Sequence, residues 1–140
     1  MITRHAEARW TGTLKEGTGN IRLGSGAYEG KYSFTTRFEG APGTNPEELL
    51  GAAHAGCYSM ALNAKLSAAD LPPKSISTKV EVHMDKVGGG MTITGVTITT
   101  VGDVPGISLE KFLGFAEDAK ANCIISKAIS VPMTLKASLA

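Results

Sequence analysis

The chain has 140 residues, with 14 basic and 13 acidic side chains and a formal net charge of +1. This length suits one folded domain, residues 1–140, with a real hydrophobic core. The balanced charge gives no electrostatic reason to expect a nucleic acid or an acidic membrane surface as partner. Polar residues interrupt the longest apolar stretch, and the N-terminus MITRHAEARW is polar, so we expect neither a membrane span nor a signal peptide. These features favour the cytoplasm.

The N-terminal third alternates between short extended runs and glycine-rich breaks. Residues 6–14 and 19–23 have the pattern of two short strands. The glycines of GSG at 24–26 and EGKY at 29–32 predict turns, and YSFTTRF at 32–38 predicts a third extended run. The breaker cluster APGTNP then separates this region from a long helix.

After Pro73 the pattern changes to a period of two. ISTKVEVHMDK and MTITGVTITTV flank the turn GGG at 88–90, which predicts an antiparallel hairpin. A helix is expected from about Leu109 to Asn122 with Ser108 as its N-cap, followed by a short helical turn at 124–129. VPMTLKASL closes the chain as a strand. This order of elements predicts an α+β fold with an antiparallel sheet.

The central helix is apolar on every face. Asn45 is its expected N-cap, Pro46 suits its first position, and Glu47 and Glu48 fall where the helix dipole favours anions. The following LLGAAHAGCYSMALNAKL leaves no polar side for solvent. Since one small α+β chain covers such a helix mainly from its sheet, a second copy of the chain is the expected cover, which indicates a homodimer.

Two cysteines are the chemical candidates, and the residues alone leave their role open. Cys57 and Cys123 are compatible with packing as small buried side chains. They are equally compatible with a peroxidatic and a resolving thiol, in which a sulfenic acid condenses with a nearby thiol to a disulfide. That chemistry needs a cation to hold the thiolate and a carboxylate to fix the cation. Arg37 and one of Glu47 and Glu48 are of the right type.

Three motifs together resemble a known family. RFEG at 37–40, GTNPEELLGAAHAGCYSMAL at 43–62 and ANCIIS at 121–126 are similar to the osmotically inducible protein C (OsmC) branch of the OsmC and organic hydroperoxide resistance (Ohr) superfamily. The similarity extends from ARWTG near the N-terminus through EVHMDKVGGG to the terminal strand.

The resemblance implies a thiol-dependent peroxidase that prefers organic hydroperoxides over hydrogen peroxide and acts in oxidative and osmotic stress. By position it assigns Cys57 as the peroxidatic thiol, Cys123 as the resolving thiol, Arg37 as the stabilising cation and Glu47 as its carboxylate partner. It implies no cofactor or metal, and a dithiol reductant such as a lipoylated protein. The implied fold is an intertwined homodimer, with sheets wrapped around the buried central helices and active sites at the interface.

One position departs from the family pattern. Ile124 follows Cys123, where family members usually carry a proline that would fix the start of the short helix. The departure leaves the thiol chemistry of Cys123 available, but makes the rate or reversibility of disulfide formation harder to predict.

Helix geometry adds an expectation about the assembly. Glu47 and Cys57 are ten residues apart, which on one straight helix is roughly 15 Å along the axis. An arginine cannot easily bridge that distance, so either the helix bends at Gly51 or Gly56, or Arg37 and Glu47 serve the thiol of a partner chain. We favour the second arrangement.

Two alternatives from other functional classes stay open. The first is a non-catalytic dimer that binds an apolar ligand or a lipoyl group, with Cys57 as lining. The second is a structural metal protein in which His54, Cys57 and Cys123 share an ion. The sequence offers only these three ligands and has no CxxC motif. We therefore prefer the interpretation that His54 is a packed residue with one hydrogen bond.

Overall fold

A computed structural model describes all 140 residues, which form six strands and four helices. The strands make two separate three-stranded sheets, so the expected α+β class is confirmed. Packing within the chain divides it into two compact units, which we call unit 1 (Met1–Leu49) and unit 2 (Leu50–Ala140). None of the helices combines the length and apolar character that a membrane span requires.

Unit 1 contains an antiparallel sheet of β1 (Ala6–Thr11), β2 (Thr18–Leu23) and β3 (Glu29–Tyr32), with β2 in the centre. β1 ends earlier than expected because Gly12 turns the chain with a φ of 93°. On one face of the sheet the rings of Trp10 and Tyr32 lie 5.4 Å apart. A side chain at Gly19 would collide with both rings, so only glycine fits there.

Two expectations for unit 1 were wrong. Glu29–Tyr32 is a strand instead of a turn, because it completes the sheet beside β2, where Asn20 donates a 2.6 Å hydrogen bond to Glu29. The predicted extended run at 32–38 contains helix α1 (Phe34–Phe38). Ser33 caps this helix reciprocally with Thr36, and the capping box outweighs the β preference of its aromatic and threonine residues.

Helix α2 (Pro46–Ala68) begins in unit 1 and continues through unit 2. The expected cap is present, since the backbone N–H of Glu48 donates to Asn45 Oδ1 at 2.8 Å. Its buried side chains in unit 2 recur every three or four residues, but the opposite side is apolar as well. Met60 is 77% exposed there. The small apolar residues of this exposed face are Ala52, Ala53, Gly56, Ala64 and Ala68, and its polar residues are Asn63 and Ser67.

The second sheet lies in unit 2. The predicted hairpin is confirmed as β4 (Ser75–Val87) and β5 (Gly90–Asp103), joined at Gly88 and Gly89, both with positive φ. The closing strand β6 (Met133–Leu139) pairs with β5 in parallel. The sheet is therefore mixed, and the expectation of a wholly antiparallel sheet was wrong for this pair, since the chain crosses over through two helices before returning.

Two helices connect the hairpin to the last strand. Helix α3 (Leu109–Asn122) begins after Ser108, whose hydroxyl accepts from the backbone of Lys111, and the short helix α4 covers Ile124–Ala128. Both agree with the sequence-based expectation. The core of unit 2 consists of residues from α2, β5 and α3 that are almost completely buried: Tyr58, Leu62, Leu66, Val96, Ile98 and Phe112.

Candidate active site

Arg37 and Glu47 form an ion pair within unit 1. Arg37 lies in the last turn of α1 and Glu47 in the first turn of α2. The Nε atom of Arg37 donates to both carboxylate oxygens at 3.1 Å, and Nη2 donates to Oε1 at 2.6 Å. This fork fixes the plane of the guanidinium as well as its position. The hydrogen bonds to Glu47 raise the pKa of Arg37 above its usual value.

The neighbouring glutamate has a different contact. The carboxylate of Glu48 accepts from the hydroxyl of Thr44 at 3.4 Å, and its backbone belongs to the cap of α2. Of the two glutamates that the sequence offered, the structure pairs Glu47 with Arg37. The Glu47 side chain is 9% exposed and that of Arg37 is 40% exposed. The carboxylate is thus mostly buried, whereas the arginine side chain remains partly exposed.

Aromatic side chains surround the arginine. The guanidinium carbon lies 5.0 Å from the centroid of the Phe38 ring, close enough for a cation–π contact. A pocket of 210 Å³ opens beside it within unit 1. Its lining combines the one charged side chain with mainly apolar ones: Trp10, Leu14, Tyr32, Ser33, Phe34, Arg37 and Phe38.

Cys57 and Cys123 lie side by side in unit 2, although 66 positions separate them in the chain. Their sulfur atoms are 3.2 Å apart, within hydrogen-bond distance, and both are free thiols. Cys57 is half-buried on α2, whereas Cys123 is only 1% exposed at the junction of α3 and α4. One thiol is therefore reachable from outside the unit, and the second lies behind it.

The α3–α4 junction holds Cys123 from both sides. Its backbone N–H donates to the carbonyl of Ala119 at the end of α3, and its sulfur accepts from the backbone N–H of Ser126 at the start of α4. Helix α4 begins at Ile124 even though this position lacks the family's usual proline. The sulfur of Cys123 acts as the N-cap, so the junction forms without proline.

The two thiols have opposite tendencies to ionise. Burial is the main cause that raises the pKa of Cys57, and the adjacent Cys123 adds to it. Burial also disfavours ionisation of Cys123, but Ser126, Cys57 and the backbone of Ile125 together lower the pKa of that thiol through hydrogen bonding. No cation from unit 2 is among the groups that act on Cys57.

His54 packs against the same junction. It is 1% exposed, and its Nε2 lies 2.8 Å from the hydroxyl of Ser126. No group of three His, Cys, Asp or Glu side chains is arranged to hold a metal ion. The interpretation of His54 as a packed residue with one hydrogen bond agrees with this contact. Ser126 was missed by the sequence argument, although its position three residues after Cys123 is the one that an N-cap contacts.

Comparisons with known proteins agree with these features. The model of the family described as OsmC-like protein matches residues 38–137. The chain is 44% identical over 135 residues to the peroxiredoxin OsmC of Escherichia coli K12, covering 96% of this chain and 94% of that protein. The same values hold for the peroxiredoxin OsmC of Shigella flexneri.

Solved structures show the same fold. An organic hydroperoxide resistance protein OsmC from Legionella pneumophila is 21% identical, with a TM-score of 0.77 and coverage of 100% of this chain and 98% of that one. The organic hydroperoxide resistance protein OhrB of Bacillus subtilis is 25% identical, with a TM-score of 0.69 and coverage of 97% and 98%. The extent of the family match and the identity to the curated relatives show that this chain belongs to the OsmC-like protein family.

Proposed function

We propose that the chain reduces organic hydroperoxides, with Cys57 as the peroxidatic thiol and Cys123 as the resolving thiol. Its class as a cysteine-based peroxidase follows from family membership and from 44% identity to a protein named peroxiredoxin OsmC. The finer assignment rests on one observation above the others. Two free thiols from distant parts of the chain lie 3.2 Å apart, where a sulfenic acid on one is within reach of the other.

The different exposure of the two thiols supports the order in which they react. The thiolate of Cys57, the more accessible one, attacks the terminal oxygen of the hydroperoxide. The S–O bond forms, the O–O bond breaks, and the alkoxide leaves and takes up a proton as the alcohol. The thiolate of the buried Cys123 then attacks the sulfenic sulfur, releases hydroxide, and closes an intramolecular disulfide. A dithiol reductant, such as a lipoylated protein in the cytoplasm, restores both thiols by exchange.

Arg37 supplies the activating charge in this proposal, and Glu47 holds it. Burial raises the pKa of Cys57, and unit 2 provides no cation to reverse that effect. The guanidinium of Arg37 is oriented by a two-pronged contact, and the arginine side chain is partly exposed. A cation of this kind favours the thiolate and orients a polar peroxide.

A homodimer is part of the proposal. The exposed face of α2 consists mainly of small apolar residues and Met60, which is 77% exposed in the single chain, with Asn63 and Ser67 as its polar members. A second copy would cover this face and allow Arg37 of one chain to serve Cys57 of the other. The ten-residue spacing of Glu47 and Cys57, roughly 15 Å on an ideal helix, favours this exchange over a site built in one chain.

The preference for organic substrates rests on the pocket beside Arg37. Its 210 Å³ and its aromatic lining suit an alkyl or aryl group, whereas hydrogen peroxide has no apolar part to place there. The raised pKa of Cys57 favours a second candidate function, a non-catalytic dimer that binds an apolar or lipoyl group with this thiol as lining.

Steady-state turnover separates the two candidates. The purified protein would be assayed with cumene hydroperoxide and with hydrogen peroxide, each with dihydrolipoamide or a monothiol as reductant, and with Cys57→Ser as the matched inactive control. We expect a higher kcat/KM for cumene hydroperoxide with the dithiol. A wild-type rate equal to that of Cys57→Ser for both peroxides would overturn the peroxidase and leave the binding dimer.

A further inference from the structure

A buried polar couple lies behind the second thiol. His54 Nε2 and Ser126 Oγ are 2.8 Å apart, and the backbone N–H of Ser126 donates to Cys123 Sγ at 3.4 Å. The Ser126 side chain is also among the groups that lower the pKa of Cys123. His54 is 1% exposed and Ser126 is 6% exposed, so water does not compete for these contacts.

The protonation of His54 follows from its other nitrogen. Nδ1 is buried and has no hydrogen-bond partner. A buried N–H without an acceptor is more costly and rarer than an acceptor without a donor, so the proton belongs on Nε2. Burial also lowers the pKa of His54, which keeps the ring neutral. Nε2–H then donates to Ser126 Oγ, and the serine hydroxyl is directed away from His54, free to donate to Cys123.

Core packing alone does not explain this couple. A neutral imidazole with an unpartnered nitrogen in an apolar core costs free energy that an aliphatic residue would avoid. The couple adjoins the N-cap of α4, and the capping group there is a thiol instead of the usual hydroxyl or carboxylate. His54 holds the hydroxyl of the same residue whose backbone N–H contacts the sulfur, and a further donor directed at that sulfur would favour its thiolate.

We propose that His54 and Ser126 are positioning residues for the resolving step, in which His54 orients the Ser126 hydroxyl so that it stabilises and aims the Cys123 sulfur. The inference rests on the proposed peroxidase function and deepens it. In this step the Cys123–Cys57 S–S bond forms and the S–O bond of the sulfenic acid breaks. Cys123 gives up one proton and the departing hydroxide gains one, so the step yields water and balances.

The first test needs no peroxide. In a Cys57→Ser background, the thiolate of Cys123 is titrated by its absorbance at 240 nm, with and without Ser126→Ala. Cys57 and Tyr58 on α2 are the titratable side chains that interact with Cys123. Both proteins lack the Cys57 thiol, and burial raises the pKa of Tyr58. A difference between their titration midpoints therefore measures the effect of Ser126 on Cys123. We expect the Cys123 midpoint to lie at higher pH in the protein with Ser126→Ala than in the one without it. An unchanged midpoint would overturn the proposal.

The second test separates the two chemical steps in a single turnover. Consumption of one equivalent of cumene hydroperoxide reports the first step, and the loss of a dimedone-reactive sulfenic acid reports the second. Ser126→Ala and His54→Leu should slow the second step about tenfold or more, as expected for a lost hydrogen bond to a charged group, and leave the first unchanged. His54→Gln, which retains an N–H donor, should recover part of the rate.

Thr100→Val is the matched control, since it also removes a fully buried hydroxyl of unit 2, one that binds Thr78 instead of a cysteine. It should resolve at the wild-type rate. Equal slowing of both steps by Ser126→Ala, or a slowed second step in Thr100→Val, would identify a general structural effect and overturn the proposal. If the wild-type protein does not consume peroxide, the proposed function is refuted instead. The titration would still show whether Ser126 stabilises the Cys123 thiolate.

Discussion

The ion pair of unit 1 and the thiol pair of unit 2 are built in opposite ways. Arg37 and Glu47 are a charged pair with one exposed partner and three donor–acceptor contacts. Cys57 and Cys123 are two free thiols at the core of unit 2, held by the sulfur contact and by Ser126. The first pair has charge without a nucleophile, and the second has nucleophiles without a cation. The proposed mechanism uses both pairs, so the predictions below test whether the two pairs act together.

The largest effect should come from the thiols themselves. Cys57→Ser should abolish peroxide consumption because the nucleophile is lost. Cys123→Ser should consume about one equivalent and then stall or over-oxidise, because nothing resolves the sulfenic acid. Mass spectrometry after one equivalent of cumene hydroperoxide measures both outcomes. The reverse pattern, in which Cys57→Ser still undergoes the first oxidation and Cys123→Ser does not, would exchange the two roles.

Removing the charge of unit 1 should be the next most damaging change. Arg37→Ala should lower kcat/KM about 100-fold, since the cation that favours the Cys57 thiolate is gone. The pH midpoint for alkylation of Cys57 should rise, because the thiolate then forms only at higher pH. Arg37→Lys should recover part of the activity, since an ammonium carries the charge without the two-pronged contact.

Arg22→Ala is the matched control for charge, since Arg22 is an exposed cation of unit 1 on β2. It should leave both the rate and the midpoint at wild-type values. An alkylation midpoint that is the same in Arg37→Ala and wild type would argue against the activating role.

The carboxylate of the ion pair should matter less than its cation. Glu47→Gln keeps the size of the side chain and removes the charge that orients Arg37, so we expect kcat/KM to fall about tenfold. Glu48→Gln removes the same charge one residue away, where the carboxylate contacts Thr44, and should have little effect. Steady-state kinetics of both variants test whether the orientation of Arg37 is used, and equal losses would show that only the charge of the helix N-terminus matters.

Mixed dimers test directly whether the two pairs meet across two chains. Chains with Cys57→Ser and chains with Arg37→Ala are unfolded and refolded together. If Cys57 of one chain uses Arg37 of the other, each mixed dimer has one intact site. About half of the dimers are mixed at random pairing, so about a quarter of wild-type activity should return under two-fold symmetry. Each variant refolded alone is the control, and a mixture shown to contain mixed dimers that has no more activity than these controls would refute sharing.

Local signals were sufficient for most of the fold. The caps at Asn45 and Ser108, the alternating hairpin and the glycine turn at 88–90 are all short-range features, and each element appeared where they indicate. The predictions that failed concerned elements that depend on distant parts of the chain, or on a local contact that outweighs residue propensity. The strand β3 depends on its neighbour β2, and α1 depends on a capping contact that overrides extended-chain preferences. The parallel direction of β6 depends on a crossover that no local pattern encodes.

The amino-acid sequence by itself determined the class of the fold, because short segments carry the periodicity and the caps of its elements. Its motifs also identified the family, and the resemblance named the four residues proposed for the chemistry. Tertiary structure alone decided which side chains meet. It placed Cys57 against Cys123, formed the two-pronged contact between Arg37 and Glu47, and put Ser126 with His54 beside the second thiol. Contacts between residues up to 72 positions apart depend on how the helices and strands pack, and packing is a property of the whole chain.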